Sequence, residues 1–165
     1  MESAPPVEPM PPPDTPLDRF EAFLQFWARL GLEARSPGTV ILVEGERDRA
    51  SLRRLGIDGD IETLHSGRTL ADRIRELGDR HRRVIVLTDW DRQGGRLARR
   101  LGEYAPGGRP TIDLGRRREL ASLLRNEVVH VEGLATWARR YAETFHRSLE
   151  EEFRACGWDT LVPTG

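Results

Sequence analysis

Acidic side chains follow two short apolar runs of the sequence, each at the point where a buried strand would end. Residues 40–45 read VILVEG and residues 84–95 read VIVLTDWDRQGG, so Glu44 follows the first run and Asp89 and Asp91 follow the second. Such runs are typical of parallel strands, whose carboxyl ends form the ligand-binding edge of open α/β sheets. If the two strands are neighbours, the three carboxylates converge. The pattern therefore predicts a Mg²⁺ site, with Mn²⁺ as a substitute ion, because carboxylate oxygens suit these cations.

The residues around the aspartate pair favour a phosphate group beside the ion. The two-residue spacing places Asp89 and Asp91 on one side of an extended segment, so both can face one ion. Gly94 and Gly95 allow close approach of the backbone, and the helix that starts there favours an anion at its N-terminus. Arg92 lies between the acids and that helix, where its guanidinium is placed to hold the same phosphate.

Several of these features have simpler interpretations. Two aspartates separated by one residue are usually turn or cap residues, and only their combination with Glu44 favours a metal site. Arg68, after the second predicted strand, is a further candidate for phosphate binding. Trp90 either stacks on a base or packs beneath the first strand. The four histidines show no metal-ligand spacing, and His65 is interpreted as a polar loop residue.

Strands and helices alternate from Val40 onwards, which predicts an α/β fold with a four-stranded parallel sheet sandwiched by helices. Glycines at Gly56, Gly78 and Gly102 follow periodic runs and are predicted to end helices. The predicted strands are 40–44, 60–64, 83–88 and 110–114, and the predicted helices are 46–55, 69–78, 94–103 and 116–125.

Further amphipathic helices flank this core. Apolar residues at three- and four-residue steps predict a helix over 17–35 that docks on its own domain, with Thr15 as N-cap and Gly31 as a stop signal. A second pattern predicts one long helix from Gly133 to about Phe153 that covers the sheet.

The composition limits the class of protein. Residues 1–16 hold seven of the eleven prolines and predict a disordered tail. A single cysteine excludes an intramolecular disulfide, and no apolar run approaches the roughly 20 residues of a membrane span, so we expect a cytoplasmic protein with no membrane partner. The net charge is −1, and all 26 basic residues are arginine, most of which we interpret as solvated helix faces.

The segments VILVEGERDRASLRRLG and VIVLTDWDRQGG resemble the motifs of the Toprim domain. That domain is shared by type IA and type II topoisomerases, bacterial-type primases, 5S rRNA maturation ribonucleases and small stand-alone proteins. The resemblance implies that Glu44 acts as a general acid or base at a phosphodiester, in addition to the place in the metal site that the strand ends predict for it. Gly45 and Asp48 complete the glutamate motif at the nucleic-acid-binding edge. Asp89 and Asp91 are implied to hold Mg²⁺.

The resemblance also divides the chain and narrows its activity. It implies a Toprim domain over 36–128 and a helical C-terminal extension over 129–165, part of which resembles small stand-alone archaeal Toprim proteins. TDWDRQGG is closest to the type IA topoisomerase form, but Gln93 stands where those enzymes usually have an acid, which removes a ligand charge for a second ion. The chain leaves no room for a topoisomerase gate. Receiver and haloacid-type phosphatase domains need an aspartate after the first strand and a lysine later in the chain. This sequence has Glu44 at the first position and no lysine, which excludes both classes.

We therefore expect Mg²⁺-dependent phosphodiester chemistry on nucleic acid, RNA or DNA, by a small nuclease of the RNA-maturation kind rather than a primase. A primase-related protein stays an alternative, and so do two other possibilities. One is a Toprim module that binds nucleic acid without catalysis. The other is an accessory subunit whose proline-rich tail or N-terminal helix contacts a larger replication or RNA-processing machine.

Overall fold

The computed structural model describes residues 15–65, 67–104, 108–124 and 127–157. Within them, four strands form one sheet and seven α-helices pack on its faces. The strands are β1 (Thr39–Val43), β2 (Asp60–Thr63), β3 (Arg83–Val86) and β4 (Thr111–Asp113). The helices are α1 (Pro16–Ala34), α2 (Glu46–Arg54), α3 (Leu70–Arg80), α4 (Arg92–Glu103), α5 (Gly115–Leu124), α6 (Leu134–Thr144) and α7 (Leu149–Ala155), and a 3₁₀ turn (Val131–Gly133) precedes α6.

The sheet is parallel throughout, in the order β2-β1-β3-β4. Val40 of β1 lies opposite Asp60 of β2 and Val84 of β3, so β1 is paired on both sides. This confirms the predicted α/β class and the four-stranded parallel sheet. It also places the carboxyl ends of β1 and β3 side by side, which is the condition on which convergence of the carboxylates depends.

Both faces of the two central strands are buried. Alternate residues of a strand point to opposite faces, and here each face meets its own helical layer. Helices α3 and α4 cover one face, and α1, α2, α5, α6 and α7 contribute to the core on the other. The residues toward α3 and α4 are Val40, Leu42, Val84 and Val86; those toward the larger layer are Ile41, Val43, Ile85 and Leu87.

Helix α1 begins as predicted and docks on its own domain. The Thr15 side chain accepts a hydrogen bond from the backbone N–H of Asp18, and Pro16 occupies the first turn. Its aromatic residues pack against the C-terminal extension, and the rings of Phe23 and Trp137 meet edge to face with their centroids 5.0 Å apart. The predicted stop at Gly31 is wrong, because the helix continues to Ala34 with Gly31 buried inside it. Burial of this last turn outweighs the helix-breaking tendency of a single glycine.

Two other glycines that were predicted to end helices lie inside them for a packing reason, although the predicted range 94–103 ends at the same residue as α4. Gly78 lies inside α3, where an added Cβ would lie 2.8 Å from Pro110 Cδ. Gly102 lies inside α4, where an added Cβ would lie 3.1 Å from Leu114 Cδ1. These glycines permit close contacts with the segments that flank β4. Gly56, in contrast, follows α2 with a φ of 84°, which confirms it as a helix end.

The predicted single helix from Gly133 to Phe153 is also wrong. Helix α6 ends at Thr144, and α7 begins at Leu149 after a turn in which His146 has a φ of 52°. Ser148 caps α7 by accepting the N–H of Glu151. The apolar positions continue at helical spacing across the break because both helices pack on the same core.

No helix in the described part of the chain is long and apolar enough to cross a membrane. Of the predicted proline-rich tail, residues 1–14 lie outside the described residues.

Candidate metal centre

Glu44 and Asp89 meet because β1 and β3 are adjacent. The ladder continues one step past β3, where the Leu87 N–H donates to the Leu42 carbonyl at 2.8 Å. Two residues later, the backbone N–H of Asp89 donates to Glu44 Oε2 at 2.9 Å. The predicted convergence of the two strand ends is therefore present, with Glu44 touching the backbone of the aspartate loop.

The surroundings of Glu44 disfavour its charged form. Burial, together with the neighbouring carboxylate of Asp89, raises the pKa of Glu44 to about 7, although the hydrogen bond from the Asp89 backbone acts in the opposite direction. A carboxyl group with such a pKa can both accept and release a proton near neutral pH, as general acid–base chemistry requires.

Asp91 fixes the start of α4. Its Oδ1 accepts the Gly94 N–H at 2.7 Å, which makes it the N-cap of the helix. Gly94 is buried, and an added Cβ would lie 1.7 Å from the Asp89 carbonyl oxygen, so only glycine fits. Thr88 Oγ1 donates to the Gly94 carbonyl at 2.9 Å. Gly94 thus allows the backbone to approach the Asp89 carbonyl of the same chain, and the Gly94 N–H is already bonded to Asp91.

A segment from the C-terminal extension completes the site. The Val131 N–H donates to Asp89 Oδ1 at 2.8 Å. His130 Nδ1 lies 3.0 Å from Asp89 Oδ2 and 3.6 Å from Asp91 Oδ2. One potential ligand atom each from Asp89, Asp91 and His130 lies within 4.8 Å of the other two. Glu44 is not part of this group among the described residues.

The sequence interpretation missed His130. It lies 41 positions beyond Asp89, outside any strand, so no spacing rule connects the two. The side chain of His130 is 49% exposed, and its hydrogen bond to Asp89 and the nearby carboxylates raise its pKa.

Trp90 packs against the protein core. Its indole Nε1–H donates to the Val128 carbonyl, and its backbone N–H donates to the Val129 carbonyl at 3.1 Å. The ring is half-buried against the core that contains α1 and α6. The packing expected as one of the two alternatives for Trp90 is therefore present.

Arg117 is a second residue that the sequence interpretation missed. From α5, its Nε donates to the Thr88 carbonyl at 3.0 Å and its Nη2 donates to the Asp89 carbonyl at 2.7 Å. Burial lowers the pKa of Arg117, while the negative charges of Glu44, Asp91 and Asp89 act in the opposite direction. The side chain holds the aspartate loop and places a positive charge behind it. An added Cβ at Gly95 would lie 3.7 Å from Arg117 Nη2, an ordinary contact distance, so the packing of Arg117 does not require glycine there.

The remaining residues of the glutamate motif shape the turn after β1. Asp48 Oδ2 accepts the Gly45 N–H at 2.9 Å and so closes the first turn of α2. Burial raises the pKa of Asp48. His65 lies beside this turn, with its backbone N–H 3.3 Å from the Glu44 carbonyl oxygen. These contacts position Glu44.

The two predicted phosphate-binding arginines lie in different surroundings. Arg92 is exposed at the first position of α4, immediately after Asp91. Arg68 is exposed before α3, where it forms an ion pair with Glu76 at 3.7 Å. No hydrogen bond or ion pair joins Arg68 to the described acids of the site. Arg92 therefore adjoins the metal centre, and Arg68 belongs to a different cluster.

Helix α4 carries a row of exposed arginines that starts at the site. Arg96 and Arg99 follow Arg92 at four and seven residues, which places the three on one helix face over about 10 Å. None of them forms an ion pair with another described residue. We call Arg92, Arg96 and Arg99 the α4 arginine row.

The residues present fit a divalent cation. Asp89 and Asp91 supply carboxylate oxygens from a loop that the chain holds by hydrogen bonds to its backbone and side chains. Carboxylate oxygens retain further lone pairs after accepting one hydrogen bond each. A site with two carboxylates and open space for water and phosphate is the usual setting of Mg²⁺ or Mn²⁺.

Comparisons with known proteins agree with this geometry. The model of the Toprim domain family matches residues 39–123, which include Glu44, Asp89 and Asp91. A UPF0292 protein of Methanosarcina acetivorans is 40% identical over 124 residues, 73% of this chain and 83% of the relative. A UPF0292 protein of Pyrococcus horikoshii is 34% identical over 116 residues, 70% of this chain and 81% of the relative.

A solved structure has the same fold. It is a putative protein from Aquifex aeolicus, with a TM-score of 0.55 and 28% sequence identity, covering 66% of this chain and 94% of that one. His130 lies outside the segment that the family model matches.

Proposed function

This chain belongs to the Toprim domain family, and we propose that it is a metal-dependent nuclease of the RNA-maturation kind. At the level of the family, the domain indicates metal-dependent chemistry on nucleic acid. The observation that carries the finer proposal is the meeting of Glu44 with the aspartate loop at the ends of two adjacent strands. It brings a proton-transfer group and a pair of metal-binding carboxylates to one edge of the sheet.

In this proposal, Asp89 and Asp91 hold the divalent ion. A bound ion would polarise a phosphoryl oxygen and offset the negative charge that develops on it. Arg117 keeps the loop in place from behind through its bonds to the Thr88 and Asp89 carbonyls, so the two carboxylates need little reorganisation when the ion binds.

Glu44 transfers the proton. One of its oxygens is held by the Asp89 N–H, which orients the carboxyl group toward the loop. Asp48 fixes the turn behind it by accepting the Gly45 N–H. Glu44 is thereby placed to take a proton from the attacking oxygen or to give one to the leaving oxygen.

The α4 arginine row gives the nucleic-acid backbone a path to this centre. Guanidinium groups bind phosphate in a bidentate manner, and successive phosphates of a strand can meet successive arginines of the row. The N-terminus of α4, with its partial positive charge, lies at the end of the path beside Asp91. The path therefore ends where the metal ion would be.

The test is cleavage of a labelled panel in Mg²⁺ or Mn²⁺. The panel holds structured RNA precursors, single-stranded RNA, and single- and double-stranded DNA, with Glu44→Gln as the paired control. We expect the wild type to cut structured RNA and the variant to cut nothing. Equal cutting by both proteins would contradict the assignment of Glu44, and cutting of DNA alone would contradict the RNA-maturation assignment.

A binding-only module is the second candidate, and two observations favour it. Both carboxylate oxygens of Asp89 are already engaged by the chain, at Val131 and His130. Gln93 is a neutral residue where a further acid would support a second ion. Binding of the panel that survives EDTA and is unaffected by Glu44→Gln, with no cutting of any substrate, would favour this candidate over the nuclease.

A further inference from the structure

Residues 128–131, where the C-terminal extension begins, are hydrogen-bonded to the aspartate loop along their length. Trp90 donates to the carbonyls of Val128 and Val129, and the Val131 N–H donates to Asp89 Oδ1. His130, between these bonds, is held with its Nδ1 toward both aspartates. The position of the imidazole is therefore fixed by the backbone on either side of it.

The separation of these atoms is that of a hydrogen bond, and it also fits two ligands that share one ion. Two adjacent ligands of an octahedral ion, each about 2.1 Å from it, lie about 3.0 Å apart. His130 Nδ1 lies 3.0 Å from Asp89 Oδ2. Its distance of 3.6 Å from Asp91 Oδ2 also permits a common ion, with a wider angle between those two ligands.

We infer that His130 is a third protein ligand of the ion and that the centre selects Mn²⁺ over Mg²⁺. This inference rests on the proposed function, which places the ion at Asp89 and Asp91. Mg²⁺ takes oxygen ligands and gives up water reluctantly, whereas imidazole nitrogen suits transition-metal ions. One nitrogen and two carboxylates therefore form a mixed donor set that favours a transition-metal ion such as Mn²⁺ over Mg²⁺.

Ligation needs one change in the imidazole. The nitrogen that binds a metal is unprotonated, so the ring carries its single proton on Nε2 and any proton on Nδ1 passes to solvent. The half-exposed side chain permits this exchange. Asp89 Oδ1 keeps its bond from Val131 throughout, so the loop is not released when the ion replaces the contact between His130 and Asp89.

The first test reads the ligand directly. Mn²⁺ bound to the full-length protein is examined by electron spin-echo envelope modulation, which detects a nitrogen bonded to the ion. We expect a nitrogen coupling that changes when histidine side chains are labelled with ¹⁵N. We expect it to be lost in His130→Gln and kept in His65→Gln, the matched control at the same sheet edge. Absence of the coupling in the wild type, or its persistence in His130→Gln, would overturn the inference.

The second test measures selection. In titrations of the same proteins, His130→Gln is expected to weaken Mn²⁺ binding by about tenfold or more and Mg²⁺ binding much less. An unchanged ratio of the two affinities would overturn the inference. The variant Asp89→Asn distinguishes failure of this inference from failure of the proposed function. If Mn²⁺ binding needs Asp89 but not His130, only the role of His130 as third ligand is refuted. If the wild type binds no divalent ion, both the inference and the proposed function are refuted.

Discussion

At the scale of single residues, Asp89 is held from both sides, which makes an isosteric substitution informative. In Asp89→Asn, the amide oxygen can still accept the Val131 N–H while the NH₂ group faces His130 Nδ1. We expect the unfolding free energy to change by less than about 1 kcal/mol. Divalent-ion binding and cleavage should be lost because the charge is gone. Calorimetric titration and thermal unfolding in EDTA check both parts, and unchanged turnover in the variant would refute the proposed role of Asp89.

Two neighbouring glycines are expected to respond in opposite directions to the same substitution. In Gly94→Ala the new Cβ would collide with the Asp89 carbonyl, whereas in Gly95→Ala the nearest atom is Arg117 Nη2 at an ordinary contact distance. We expect Gly94→Ala to lower the unfolding free energy by more than about 2 kcal/mol. We expect Gly95→Ala to raise it by up to about 1 kcal/mol, since alanine favours the helix. Urea denaturation measures both, and equal effects would contradict the close approach at Gly94.

Whether a residue of the site could be predicted from the sequence depends on the element that carries it. The meeting of Glu44 with the aspartate loop was predictable because parallel strands of one sheet share a carboxyl edge. His130 and Arg117 come from segments with no such rule, and their positions depend on how α5 and the C-terminal extension pack. Gly94 was identified as a point of close approach, but the partner of that approach is the chain's own carbonyl.

At the scale of elements, the α4 arginine row makes a quantitative prediction about nucleic-acid binding. Replacing Arg96 and Arg99 by alanine should weaken binding and reduce the salt dependence of log K by about 0.7 per lost contact for a single strand. The matched control is Arg54→Ala with Arg82→Ala. Both arginines are exposed; Arg54 is the last residue of α2 and Arg82 directly precedes β3, so each lies at the end of its element away from the metal centre. Filter binding from low to high salt gives both slopes, and equal losses in the two double variants would contradict a path along α4.

Strands were predicted more accurately than helix ends. An apolar run that is buried on both faces identifies a parallel strand without ambiguity, as in β1 and β3. A helix end depends on what surrounds it. Gly78 and Gly102 looked like stops but admit neighbouring segments, and the turn at His146 was hidden because α6 and α7 bury their apolar residues in one core. The local signal for that turn was Ser148 followed by Glu151, a capping pattern.

At the scale of the whole molecule, α1 and the C-terminal helices form one layer that packs on a face of the sheet. Phe20, Phe23 and Trp27 are fully buried. The rings of Phe20 and Phe23 meet Trp137 of α6 edge to face, and Trp27 stacks on Phe23 within α1. The apolar face of α1 is therefore not available to a partner while the protein is folded. This argues against the accessory-subunit alternative in which the N-terminal helix contacts a larger machine through its apolar face.

An ion-pair cluster joins this layer to the sheet and makes stability depend on pH. Glu33 of α1 accepts from Arg116 Nη2 at 2.6 Å and from Arg83 Nη2 at 3.2 Å, and Arg83 also binds Asp113. Burial opposes ionisation of both acids, but hydrogen bonds and charge from the arginines outweigh it and lower the pKa of Glu33 and of Asp113. In the folded protein these pKa values lie below their ordinary values of 4.5 and 3.8. At acidic pH these two acids therefore bind fewer protons in the folded protein than in the unfolded one.

The stability that these two acids contribute should be fully present above their unfolded pKa values and lost as the pH falls through the folded ones. Glu44, whose pKa is raised, acts in the opposite sense between about pH 7 and pH 4.5. The unfolding free energies of the variants are therefore compared below about pH 4.5, outside that range. We expect Glu33→Gln to lose less unfolding free energy between about pH 4.5 and pH 3 than the wild type, with Glu143→Gln on the exposed side of α6 behaving like the wild type. Urea denaturation at each pH measures this, and parallel curves for all three proteins would show that the cluster does not couple α1 to the sheet.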